Sequence, residues 1–80
     1  MRIEVKMPNL GYDMEVGKIV SWLKNIGDSV TRGEPIAEVE TDKATLDMES
    51  MRSGVLVEIV AAEGADVPVG NVIAYLETHD

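Results

Sequence analysis

GKIVSWLKNIGDSVTRGEPIAEVET, Gly17–Thr41, and GVLVEIVAAEGADVPVGNVIAYLET, Gly54–Thr78, are two copies of one segment, set 37 residues apart without a gap. Nine of the 25 positions are identical: Gly17/Gly54, Val20/Val57, Gly27/Gly64, Val30/Val67, Gly33/Gly70, Ile36/Ile73, Ala37/Ala74, Glu40/Glu77 and Thr41/Thr78. Two copies are too few for a solenoid, which needs at least three. Two matching halves, neither able to bury a face alone, instead predict a pseudo-two-fold sandwich with one half packed on the other.

Each copy reads as strand and turn. KIVSWL and VLVEIV are rich in β-branched residues. They are broken by Gly27-Asp28 and by Gly64-Ala65-Asp66, and PIAEVE and NVIAYLE return. Between them VTRG and VPVG read as tight turns, with Pro68 at the second position and Gly33 and Gly70 closing them. Upstream, Ile3, Val5 and Met7 alternate with Arg2, Glu4 and Lys6 until Pro8 stops the ladder. No window carries a capped 3.6-residue stripe. The expectation is an all-β fold of about eight short strands in two four-stranded antiparallel sheets, residues 1–80 forming a single domain.

Between the copies lies EVETDKATLDME, Glu38–Glu49. With Asp42-Lys43 as a two-residue loop, Thr41 opposes Ala44, Val39 opposes Leu46 and Ala37 opposes Met48, and that face is expected to pack inward. Glu40/Thr45 and Glu38/Asp47 then share the wet face. A slip by one residue would reverse both faces. Asp-Lys suits a type I turn better than type I′, which prefers Asn-Gly. The register puts Lys43 at the apex in solvent. Two residues also follow the second copy's Glu-Thr, so the lysine turn is expected opposite the chain termini.

Composition bounds the chemistry. The 80 residues suffice for one small core, burying roughly 60–65% of the unfolded surface. The net charge of −8 opposes nucleic acid and anionic membrane surfaces, which are held by Lys and Arg. No apolar run approaches the length of a membrane-spanning helix, and the N-terminus lacks the apolar stretch of a signal peptide. There is no cysteine, so disulfides and thiolate metal sites are out, and the expected compartment is reducing and intracellular. The one histidine, His79, reads as solvated near the end. Glu38, Glu40, Asp42, Asp47 and Glu49 fall on a strand pair, not on one flexible loop, so they read as a solvated face and not a calcium site. No phosphate-binding glycine motif is present. No catalytic residue or metal ligand is nominated.

ETDKA closing a GD-x-V-x-x-G repeat, with MPNLG upstream and GVLVEIVAAEGADVPVGNVIAYLE downstream, resembles the lipoyl domains of the dihydrolipoamide acyltransferases of 2-oxo acid dehydrogenase complexes. The resemblance spans essentially the whole chain. It implies a flattened barrel of two four-stranded sheets, as the repeat does by itself. It implies that Lys43 carries lipoic acid in amide linkage, with Asp42 and Ala44 read by the lipoylating enzyme. It places the loop from Leu10 to Val16 near that turn. Leu10, Gly11, Tyr12, Asp13, Met14 and Glu15 are then expected to meet the thiamine-diphosphate-dependent 2-oxo acid decarboxylase, with Gly11 as hinge. Trp22 is expected in the core. The other implied partners are the acyltransferase catalytic domain and dihydrolipoamide dehydrogenase. The isolated domain is expected to be monomeric, non-catalytic, and cytoplasmic or in the mitochondrial matrix.

The chain departs from the family pattern in two places. MESMRSG stands after the lysine where many members are proline-rich. GYDMEVG lacks the glutamate that often follows the first glycine. The competing readings are a biotinyl carrier, whose lysine is typically flanked by methionines, the longer hydrogen carrier of glycine cleavage, and an unmodified β-sandwich interaction module.

Overall fold

The computed structural model describes residues 1–10 and 14–78. These form eight strands: β1 (Arg2–Lys6), β2 (Val16–Trp22), β3 (Ser29–Val30), β4 (Pro35–Glu40), β5 (Thr45–Glu49), β6 (Gly54–Ile59), β7 (Asp66–Pro68) and β8 (Val72–Glu77). One antiparallel sheet has the order β1-β8-β6-β3 and the other β5-β4-β2-β7. All pairings are antiparallel. The two sheets form the expected flattened sandwich, and it is not a closed barrel.

The repeat is visible in every pairing. Lys18, Ile19, Ser21 and Trp22 face Glu40, Val39, Glu38 and Ala37. Val55, Leu56, Glu58 and Ile59 face Glu77, Leu76, Tyr75 and Ala74. Both ladders shift register at the same place, around Val20 and Val57. One feature departs from the sequence reading. The halves do not simply stack, because each gives its short strand to the other's sheet. β3 pairs with β6, and β7 pairs with β2. The exchange ties the halves together by backbone hydrogen bonds, such as Gly27 N–H to the Leu56 carbonyl at 2.7 Å and Gly64 N–H to the Ile19 carbonyl at 2.6 Å.

The turns after the short strands lie one residue later than the sequence reading placed them. Glu34 N–H donates to the Thr31 carbonyl at 2.9 Å and Asn71 N–H to the Pro68 carbonyl at 3.1 Å. Pro68 is therefore the first residue of its turn, not the second. Gly33 and Gly70 occupy the third position with φ of 87° and 95°, a left-handed conformation that selects glycine. Glycine decides the frame, since proline is acceptable at either place.

The core lies between the sheets. Met7, Ile19, Ile36, Val39, Met48, Leu56, Ile73 and Leu76 are fully buried, as are the repeat-related Ala37 and Ala74. Six of the large ones form three repeat-related pairs, Ile19/Leu56, Ile36/Ile73 and Val39/Leu76, as a two-fold core requires. Trp22 packs partly against this cluster, as expected, and its indole N–H donates to the Ala61 carbonyl at 2.8 Å.

Candidate functional site: the lysine turn

β4 and β5 pair as Glu40/Thr45, Val39/Leu46, Glu38/Asp47 and Ala37/Met48, the register read from the sequence. Ala37, Val39 and Met48 are buried, so the inner face is confirmed at the base of the hairpin. At the tip it is not. Ala44 is exposed and Leu46 is 36% exposed.

Asp42 and Lys43 form the tip and both are exposed. Thr41 closes the turn. Its N–H donates to the Ala44 carbonyl at 2.8 Å and its hydroxyl donates to the same oxygen at 3.0 Å. Its Oγ1 also accepts from the N–H groups of Lys43 and Ala44, each at 3.2 Å. Three backbone groups are thus pinned by one side chain, which fixes where the lysine backbone points. Sequence reasoning treated Thr41 only as an inward-facing neighbour of Ala44. A threonine two residues before a turn apex is a known local hydrogen-bonding device and could have flagged it. Lys43 Nζ has neither ion pair nor hydrogen bond among the described residues.

A shallow groove of about 230 Å³ flanks the turn, lined by Leu10, Met14, Thr41–Ala44 and Leu46. Leu10 and Met14, of the segment after β1, therefore do lie beside Lys43. Leu10 and Met14 are half-buried and pack on the core, and the Leu10 N–H points at the Met14 sulfur at 3.2 Å. Glu15 is exposed, and its carbonyl accepts from Val69 N–H at 2.9 Å. Gly11, Tyr12 and Asp13 lie outside the described residues. The outer face of the hairpin is acidic, with Glu38 opposite Asp47 and the Ser21 hydroxyl donating to Glu38 at 2.8 Å. Among the described residues no group of carboxylates or histidine is placed to hold a metal ion.

A small two-sheet sandwich that offers a lysine on a rigid hairpin defines a class of attachment modules. Residues 3–76 match the model of the biotin and lipoyl family, described as "Biotin-requiring enzyme". The chain belongs to this family and, within it, to the lipoyl domains of the acyltransferase components of 2-oxo acid dehydrogenase complexes. It is 53% identical over 72 residues, 89% of its length, to component 3 of the dihydrolipoyllysine-residue acetyltransferase of the mitochondrial pyruvate dehydrogenase complex of Arabidopsis thaliana. It is 49% identical over 71 residues, again 89% of its length, to the dihydrolipoyllysine-residue succinyltransferase of the 2-oxoglutarate dehydrogenase complex of Staphylococcus saprophyticus. It spans only 13% and 17% of those two proteins. Among solved structures, the solution structure of the lipoyl domain of the 2-oxoglutarate dehydrogenase complex of Azotobacter vinelandii matches with a TM-score of 0.75 at 32% identity, covering 98% of this chain and 99% of that one.

Proposed function

We propose that Lys43 is the attachment point of lipoic acid and that the chain serves as the mobile acyl carrier of a 2-oxo acid dehydrogenase complex, without catalysis of its own. The observation that carries this is the position of Lys43, at the apex of a two-residue turn with its ammonium in solvent. An amide to Nζ needs an amine that an enzyme can surround, and the turn supplies one with its backbone already fixed by Thr41. When bound, the lipoyl group supplies a dithiolane that accepts an acyl group reductively and passes it on as a thioester. The chain's own contribution is position. The tether keeps the reactive end at high effective concentration near successive active sites.

Lipoyl is favoured over biotin by two features. Asp42 and Ala44 flank the lysine where biotin sites carry methionines. The relatives cited above also bear dihydrolipoyllysine in their names. Asp42 and Ala44 are proposed as the residues a lipoylating enzyme reads. Leu10, Met14 and Glu15, with Gly11, Tyr12 and Asp13, are proposed as the surface met by the decarboxylase, since Leu10 and Met14 sit beside the turn. The acyltransferase domain and dihydrolipoamide dehydrogenase complete the proposed partners. Cytoplasm or mitochondrial matrix is the proposed compartment, in keeping with bacterial and mitochondrial relatives.

The test is intact mass before and after incubation with ATP, lipoic acid and a lipoate ligase. One lipoyl increment is expected on the wild type and none on Lys43→Gln. An increment on both proteins, or on neither with the fold intact, would overturn the assignment.

A further inference from the structure

The pseudo-two-fold leaves one apolar side chain uncovered, and it lies beside the lysine turn. Met7 and Ser50 are dyad-related. Met7 N–H donates to the Asn71 carbonyl and Ser50 N–H to the Glu34 carbonyl, each at 2.9 Å. β1 and β5 are therefore equivalent edge strands, and Ile3 corresponds to Leu46. Their partners agree, since Ile3 pairs with Leu76 and Leu46 with Val39, which are themselves repeat-related. Ile3 is half-buried and packs against the core. Leu46, in the matching register and on the same alternation as buried Met48, is exposed.

Leu46 opens instead onto the groove of about 230 Å³, where Leu10, Met14 and Ala44 supply three more apolar side chains. Lys43 is itself part of the wall, so anything bonded to Nζ starts at this groove. As an ammonium, Nζ keeps its hydration and has no reason to settle on an apolar surface. An amide at Nζ removes the charge and adds a hydrocarbon chain ending in a sulfur ring. An apolar cavity of about 150 Å³ holds a benzene ring, so the groove has room for a five-membered ring and part of its chain. Met14 makes an adaptable wall, because its unbranched thioether follows the shape of what it meets.

We propose that this groove is a resting site for the lipoyl arm on its own domain, with the dithiolane against Leu46, Met14 and Leu10 between visits to active sites. The inference rests on lipoyl attachment at Lys43. The tether holds the arm at high effective concentration, so contacts too weak to bind free lipoamide suffice. The turn is fixed by Thr41, so rest and extension differ only in rotations of the arm itself. A decarboxylase that docks on Leu10 and Met14 takes the same side chains from the arm, which couples its release to the partner's arrival.

The test is NMR of the isotope-labelled whole chain before and after treatment with ATP, lipoic acid and a lipoate ligase, with intact mass read on the same sample. With one lipoyl increment present, nuclear Overhauser contacts are expected from the dithiolane protons to the Met14 and Leu46 methyl groups. Amide shifts are expected at Leu10, Met14 and Leu46, with Val20 and Val57 unmoved. Leu46→Ala and Leu46→Asn should each weaken the Met14 contacts at least about threefold, because the ring loses apolar area against which to pack, and Val60→Asn should not. Leu46 and Val60 are both exposed, and the amide spectra report whether each variant folds. An increment without these contacts, or with shifts confined to residues 42–44, overturns the resting site while lipoylation stands, and leaves the groove to a partner protein. Contacts undiminished in both Leu46 variants overturn it as well. No increment overturns the attachment, and the resting site with it.

Discussion

Thr41 holds three backbone groups of the lysine turn through one hydroxyl and one amide. Thr41→Val keeps the shape and removes the oxygen, leaving the Lys43 and Ala44 amides to water. The expected cost is about 0.5–1 kcal/mol, the net worth of exposed hydrogen bonds, read as a lower urea midpoint. The same variant should be lipoylated more slowly while Lys43 itself is untouched. A second residue-scale device is the pair Lys24–Glu34, Nζ to Oε2 at 2.8 Å. The Lys24 hydrogen bond, then the Thr31 N–H, holds the Glu34 carboxyl below its ordinary value of 4.5. The Glu34 bond, with Coulomb attraction from Glu34 and Asp28 against desolvation, raises the Lys24 ammonium above 10.5. Glu34 therefore contributes stability above pH 4.5 that is lost as pH falls through its lower folded value. Lys24 contributes below pH 10.5 and loses it as pH rises through its higher folded value. The urea midpoint of the wild type should fall on acidification more than that of Glu34→Gln, and on alkalinisation more than that of Lys24→Met. Equal slopes would show that the pair contributes nothing.

Among the elements, the hairpin was readable because its alternation is strict and its loop short. Ala37/Met48 and Val39/Leu46 pair as the pattern requires. The bulges near Val20 and Val57 were not readable, since an extra residue in a β-branched run leaves no mark in composition. The exchange of β3 and β7 was hidden for another reason. A strand of two or three residues carries too little pattern to name its partner, and the core decides it. The turn frames slipped by one because Pro68 fits two positions while the φ of Gly70 fits one. The lysine site was legible as a motif and Thr41 carried a local signal for its closure, but the packing of Leu10 and Met14 needed three dimensions. Gly54 belongs to this scale also. A Cβ there would stand 2.5 Å from the Glu77 carbonyl oxygen, in the backbone of β8. At the equivalent Gly17 it would meet Met14 Cε, Val39 Cγ1 and the Met7 sulfur at 2.6–2.9 Å, all side-chain atoms, two of them on flexible methionines. Gly54→Ala should cost about 1–3 kcal/mol, the range for overpacking, and more than Gly17→Ala. Thermal unfolding of the two variants side by side checks the order.

The whole molecule is 35 Å long and about 20 Å across, and strongly acidic. Charge of one sign steers encounter more than it tightens contact. If the acidic surface guides docking to a basic decarboxylase face, the rate of reductive acylation at limiting concentration should fall as salt rises from about 0.01 M, where the screening length is about 30 Å, to about 0.15 M, where it is about 8 Å. A flat rate would remove the role of charge. The ends of the chain carry a different consequence. Thr78 N–H and hydroxyl meet the Met1 carbonyl at 2.7 and 3.1 Å, as Thr41 meets Ala44. Two residues follow Thr78, the number that separates Thr41 from Ala44. A peptide bond from residue 80 to Met1 would thus make a backbone-cyclised protein with a second hairpin tip at the dyad-related position. Writing Asp-Lys into that tip would give one molecule two geometrically matched lysines, only one of them beside Leu10 and Met14, so that a modifying enzyme's choice between them would separate recognition of the turn from recognition of its neighbours.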